Sequence, residues 1–151
     1  MKVLIDLNVV LDVLSDRAPY AAYSAGVLAL AERQRISAYL CATSVVTLHY
    51  LVRKELSPLE ARRHLGTLLG ILRIADVTEG AVRAAYESRW PDLEDAIVYQ
   101  SAQLAGVRLI VTRDRARFAA GQLPLLSPEE LLAAGLSEQG APTPGDSTEP
   151  S

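Results

Sequence analysis

Cysteine, lysine, histidine and the large aromatics are all scarce in this chain of 151 residues. A single cysteine, Cys41, permits no internal disulfide and fits a reducing, cytoplasmic compartment. Its setting in "YLCATS" reads as a small core residue rather than a nucleophile. His49 and His64 are the only histidines, so zinc-ligand spacing is missing as well. Aromatic residues make up 5% of the chain, too few for a base-stacking platform. No apolar run is long enough to cross a bilayer, so no membrane partner is expected. The first residues enter a strand-like segment directly, without a signal-peptide pattern. A serine-hydrolase elbow, a P-loop and a dinucleotide fingerprint are absent. The net charge of −3 gives no global attraction to nucleic acid. Lys2 and Lys54 are the only lysines, so the positive charge is almost entirely arginine, suited to forked contacts with phosphate or carboxylate.

What the chain does have is hydrophobic residues, 50% of the total, ample for a core. "KVLID" is apolar throughout, as a strand of a parallel sheet should be. "NVVLDVLSD" and "PYAAYSAGVLALAERQ" read as helices, the second with Pro19 at its first turn. "ISAYLCA", "RIADV" and "VRLIVT" read as further strands. The helices between them are "TSVVTLHYLVRKE", "SPLEARRHLGTLLGIL" with a capping-box start, "TEGAVRAAYES", and "PDLEDAIVYQSAQLAG" closed by Gly106. "SPEELLAAG" repeats the Ser-Pro-x-Glu start. Strands alternating with helices predict an α/β fold, three layers α/β/α around a mainly parallel central sheet with "KVLID" in the middle. One domain over residues 1–135 is expected. From Leu136 the chain turns polar and rich in Pro, Gly and Ser, the composition of a disordered C-terminal tail over 136–151.

Asp6 interrupts an apolar run, and burying a carboxylate costs several kcal/mol without a partner. Nothing basic lies near it in sequence, so the partner must come from elsewhere in the fold. In a parallel α/β sheet, strand C-termini and helix N-termini share one edge, where open sheets bind ligands. Asp6 ends the first strand, Asp92, Glu94 and Asp95 open a helix, and Asp114 follows the last strand in "LIVTRDRARF". All therefore belong to that edge. Asp92 and Asp95 share one helix face, while Glu94 points elsewhere. Asp92 also suits the role of N-cap. Two unit charges about 4 Å apart repel by roughly 4 kcal/mol at an effective dielectric near 20, so converging carboxylates need protons, arginines or a metal. Oxygen ligands favour Mg²⁺ or Mn²⁺ over zinc. Such an ion suits phosphodiester hydrolysis.

The motifs on this edge resemble those of PIN-domain ribonucleases, the family that includes the VapC-type toxins of toxin–antitoxin pairs. "VLIDLNVVLDVL" resembles the Asp-x-Asn opening, "DLEDAIVYQSAQLAG" the Asp-Ala helix, and "LIVTRDRARF" the Thr-x-Asp-x-x-x-Phe motif. The resemblance spans roughly Lys2 to Leu132. It implies a Mg²⁺- or Mn²⁺-dependent endoribonuclease acting on single-stranded RNA, with Asp6, Asp95 and Asp114 as catalytic metal ligands. Asn8 and Thr112 would be polar supports, with Asp92 and Glu94 nearby. Arg53, Lys54, Arg113 and Arg115, with Arg117 beside them, are the candidate phosphate contacts. The family's partners imply a homodimer and make an antitoxin a candidate partner.

The chain departs from the family pattern in three places, the first being Leu7, where the family usually has Thr after the first Asp. "TSVVTLHYLVRK" lacks the usual acidic residue, with His49 its nearest polar substitute. The acidic or Asn position soon after the last Asp is taken by Ala116 or Arg117. Two other readings compete. Asp6-Leu7-Asn8-Val9-Val10 resembles the nucleophile loop of haloacid-dehalogenase-like phosphatases, with Asp6 attacking phosphate. Alternatively, a PIN-like domain short of acids is an RNA- or partner-binding module.

Overall fold

The computed structural model describes residues 1–135. The tail expected from Leu136 lies outside the described residues. Five strands form one parallel sheet: β1 (Lys2–Ile5), β2 (Ser37–Cys41), β3 (Arg73–Ala75), β4 (Leu109–Val111) and β5 (Leu125–Leu126), in the order β3-β2-β1-β4-β5. β1 is central, between β2 and β4, as its uninterrupted apolar sequence predicts. β5 has no counterpart in the sequence reading. Two paired residues between Pro124 and Ser127 are too few to carry a strand pattern.

The strands bury both faces. Val3 and Ile5 enter one apolar cluster, with residues such as Val27, Leu30, Leu48 and Leu131. Leu4 and Ile110 enter the other, with Val98, Tyr99, Ala102 and Phe118. On the first side stand α1 (Leu7–Leu14), α2 (Ala21–Glu32), α3 (Ala42–Glu55), α4 (Pro58–Leu69) and α7 (Pro128–Ala133). On the other stands α6 (Leu93–Ala105), against which α5 (Glu79–Ser88) packs. Period-2 alternation in the strands thus serves two cores, giving three layers.

Local signals set the helix ends. Ser57 Oγ and Ser127 Oγ accept the N–H groups of Glu60 and Glu130, both at 3.1 Å, so the two Ser-Pro-x-Glu sequences act alike. Gly106 closes α6 at φ +77°, a conformation that costs glycine nothing. α2 begins at Ala21 rather than at Pro19, because a turn closed by Tyr20 N–H on Arg17 C=O precedes it.

Candidate active site

The sheet ends its central strand at Asp6, which is 2% exposed and serves as the N-terminal boundary residue of α1. Its backbone N–H still pairs with Val111 C=O at 2.9 Å, so β4 fixes its height on the edge. Thr112, the residue after β4, donates its hydroxyl to Asp6 Oδ2 at 2.8 Å and is itself fully buried. Thr112 Oγ1 in turn accepts the N–H of Asp114 at 3.0 Å. Thr112 therefore orients the Asp6 carboxylate and the turn that follows β4.

The partner that Asp6 requires is Arg117, 111 residues away in sequence. Arg117 sits on a short 3-10 turn (Arg115–Phe118). Its Nη1 reaches Asp6 Oδ1 at 2.6 Å and Oδ2 at 2.8 Å. The same guanidinium donates from Nε to Asp95 Oδ1 at 2.8 Å, and Nη2 stands 2.6 Å from that oxygen. One arginine thus bridges two carboxylates that are far apart in the sequence. Burial opposes charge on this guanidinium, but the hydrogen bonds and charges of Asp95 and Asp6 outweigh it and raise its pKa above the usual arginine value.

Asp95 comes to this edge because Asp92 starts α6: Asp92 Oδ1 accepts the Asp95 N–H at 2.9 Å. Asp92 is exposed and acts as the cap; Glu94 is exposed. Asp114 is exposed at the head of the 3-10 turn, and Asn8 is half-buried in the first turn of α1. Asp6 and Asp95 are therefore brought together through Arg117, while Asp114 joins the edge by its backbone bond to Thr112.

A second buried carboxylate escaped the sequence reading. Asp12, on α1, has no exposure at all. Arg113 forks onto it, Nε to Oδ2 at 2.6 Å and Nη2 to Oδ1 at 2.9 Å, and stacks 3.9 Å above the Tyr20 ring. Ser24 Oγ adds a contact at 3.4 Å, and Arg17 lies 3.8 Å away. The signal was present, since Asp12 interrupts "VVLDVL" as Asp6 interrupts "KVLID". Arg113, read from sequence as a phosphate contact, is instead engaged with Asp12. Arg115 pairs with Glu130 and holds that carboxyl below the usual range. Arg53 and Lys54 are exposed on α3, with Lys54 Nζ 5.2 Å from the Tyr50 ring centroid.

The metal that the sequence suggests, Mg²⁺ or Mn²⁺, would need several oxygen ligands converging on one point. Among the described residues, no group of three or more His, Cys, Asp or Glu side chains stands together to hold an ion. Between Asp6 and Asp95, the oxygens an ion would need already accept from Arg117. α3 brings His49, half-buried, but has no acid before Glu55. As arranged, these residues do not fit a bound divalent ion. The phosphatase reading also meets an obstacle. Both oxygens of Asp6 are engaged and the residue is 2% exposed, whereas an aspartyl nucleophile must be reached by phosphate.

Comparison with known proteins points one way. The family model described as PIN domain matches residues 2–116. Ribonuclease VapC1 of Aquifex aeolicus (strain VF5) is 25% identical over 134 residues, 85% of this chain and 92% of that protein. The fold is similar to that in the crystal structure of VapBC2 from Rickettsia felis bound to a promoter DNA fragment. There the TM-score is 0.68 at 16% identity, covering 84% of this chain and 98% of that one. It is also similar to Mycobacterium tuberculosis VapC20, described as a sarcin-ricin loop cleaving toxin, with a TM-score of 0.63 at 13% identity, covering 79% and 95%.

Proposed function

The chain belongs to the PIN-domain family, and from that premise we propose that it is an endoribonuclease of single-stranded RNA, the toxin of a toxin–antitoxin pair. The observation that carries this reading is the pair of carboxylates at the C-terminal edge of the sheet. Asp6, held buried by Thr112, and Asp95, set by the Asp92 cap, meet at one cation. An edge that gathers negative charge around a cation suits phosphodiester chemistry, in which charge on the substrate must be offset. The relative named a ribonuclease and the neighbour named a sarcin-ricin loop cleaving toxin support the substrate class.

The proposal includes dependence on Mg²⁺ or Mn²⁺, the ions that hard oxygen donors select. It also assigns site roles to Asp6, Asp95 and Asp114, with Thr112 and Asn8 in support. Phosphate contacts fall to Arg53, Lys54 and Arg115, the exposed members of the expected set. An antitoxin is the proposed protein partner, supported by the toxin–antitoxin complex from Klebsiella pneumoniae, which has this fold with a TM-score of 0.63. A homodimer is proposed through α3, where Val46 is 72% and Tyr50 57% exposed one turn apart. The alternative face on α2 is occupied, since Val27, Leu28 and Leu30 are in the core. The proposed compartment is the cytoplasm; no helix among the described residues is long and apolar enough to cross a membrane.

The test is an RNA cleavage assay on the full chain with Mn²⁺ or Mg²⁺, with and without chelator. Single-stranded RNA is compared with the same sequence as a duplex. Cleavage of the single strand should vanish with chelator and in Asp6→Asn protein shown to be folded by circular dichroism. Wild-type cleavage in chelator, or full cleavage by folded Asp6→Asn, defeats the reading.

A further inference from the structure

At the sheet edge opposite Asp6, a cavity of about 570 Å³ opens between the ends of α2 and α4 and the starts of β2 and β3. A cavity of that size accommodates a small organic molecule. Its polar side chains are Arg35, Arg73, Gln34 and Ser37, with Glu32 the one acid. We infer that this cavity binds a small phosphorylated molecule of nucleotide size, with Arg35 and Arg73 receiving its phosphate groups.

The two arginines carry the inference. Both are exposed, and neither makes a hydrogen bond, ion pair or ring contact among the described residues. The arginines of the acidic edge differ: Arg113, Arg115 and Arg117 are each engaged by a carboxylate. A guanidinium without a carboxylate keeps its forked donors for the oxygens of a phosphate. Two arginines against Glu32 leave the cavity's side chains one net positive charge, so the site selects an anion.

Cations near helix C-termini ordinarily answer the helix dipole. Here backbone groups already do so. The N–H groups of Gln34 and Arg35 pair with the C=O groups of Ala31 at 3.0 Å and Leu30 at 2.8 Å, which closes α2. Those of Gly70 and Leu72 pair with Gly66 C=O at 3.3 Å and Leu68 C=O at 2.7 Å, which closes α4. Neither guanidinium donates there. Gln34 is the second sign. It stands at φ +59°, in the left-handed region that glycine enters freely and a glutamine does not. A strained position that puts a long amide on the cavity wall marks that amide as a further donor to the same ligand.

The experiment is calorimetric titration of the full-length protein, in chelator, with ATP, inorganic pyrophosphate, adenosine or a short single-stranded RNA. ATP and pyrophosphate should bind the wild type, and adenosine should not. Arg35→Gln and Arg73→Gln should each weaken ATP binding about tenfold, through loss of a charged hydrogen-bond donor. Glu32→Gln should tighten it about threefold by removing the one opposing charge. Arg62→Gln, an equal loss of charge elsewhere on α4, should leave it unchanged. All four positions are exposed, so Tm should stay near that of the wild type. Failure of millimolar ATP and pyrophosphate to bind the wild type overturns the inference, as does unchanged ATP affinity in the Arg35→Gln, Arg73→Gln double variant. RNA binding that falls in the double variant while ATP binds neither protein assigns the arginines to a polynucleotide and also overturns it. If the double variant does not fold, NMR of the Arg35 and Arg73 Nε–H groups in the wild type decides. Shifts on adding pyrophosphate support the site, and their absence refutes it. RNA cleavage is read nowhere in this test, so its outcome is independent of the nuclease reading.

Discussion

Asp6→Asn separates a paired carboxylate from a repelled one. Were the edge a set of like charges, amidation would relieve repulsion and raise the Tm. The structure gives the opposite sign. Asp6 is 2% exposed and takes two contacts from Arg117 and one from Thr112. Removing one member of a buried ion pair costs about 3–5 kcal/mol when the other charge is stranded. Arg117 is not stranded, because it keeps Asp95 and is 23% exposed. The amide also retains an acceptor for Thr112. What is lost is the charge assistance, the difference between about 1.5–3 kcal/mol for a hydrogen bond to a charged group and about 1 kcal/mol for a neutral one. Two contacts of that kind give a destabilisation of about 2 kcal/mol. For a chain of this size, each kcal/mol moves Tm by about 3–4 °C, so the expected fall is about 6–8 °C. Differential scanning calorimetry in chelator at neutral pH measures it. Added salt should change the difference little, since the pair is largely buried. A Tm equal to or above wild type would refute the paired-carboxylate argument.

Arg113→Ala leaves the fully buried Asp12 with only Ser24 at 3.4 Å and Arg17 at 3.8 Å, and should lower stability by about 3 kcal/mol, read from the urea midpoint. Asp92→Ala removes the acceptor for the Asp95 N–H and should cost about 1 kcal/mol in the same assay, with Asp92→Ser recovering most of it. Gly121→Ala would place a Cβ 2.3 Å from Tyr99 Cε2, against a buried ring whose hydroxyl accepts the N–H groups of Gln122 and Leu123. It should destabilise by about 1–3 kcal/mol and alter the near-ultraviolet circular dichroism of Tyr99.

The sequence carries the local structure well, because the signals are local. The two Ser-Pro-x-Glu starts, the Gly106 stop and the apolar run of β1 are each decided within a few residues. The central place of β1 follows from the same run, since only an interior strand is buried on both faces. The edge on which Asp6 and Asp95 meet follows from strand and helix direction alone. What sequence leaves open is which cation answers them. Arg113, Arg115 and Arg117 look alike in "TRDRARF", yet one holds Asp12, one Glu130, and one bridges Asp6 and Asp95. Side-chain direction around a 3-10 turn decides among them. With about three residues per turn and no apolar stripe, such a turn leaves little pattern to read. Asp12 was missed for a related reason: a carboxylate within an amphipathic helix is ordinary unless its neighbours are known to be buried.

The two aspartate–arginine pairs are best understood together. Arg113 precedes and Arg117 sits on one turn, and their partners Asp12 and Asp6 lie on α1 and at the end of β1. The segment after β4 is therefore fastened twice to the start of the chain, through contacts that span 101 and 111 residues. Thr112 adds a third tie to Asp6 and, through Asp114 N–H, shapes the turn that carries Arg117. Arg113, Thr112 and Arg117 therefore fix the turn together, each through a contact to the start of the chain. The contacts that dock the turn are thus the same ones that neutralise the two buried acids at the start of the chain.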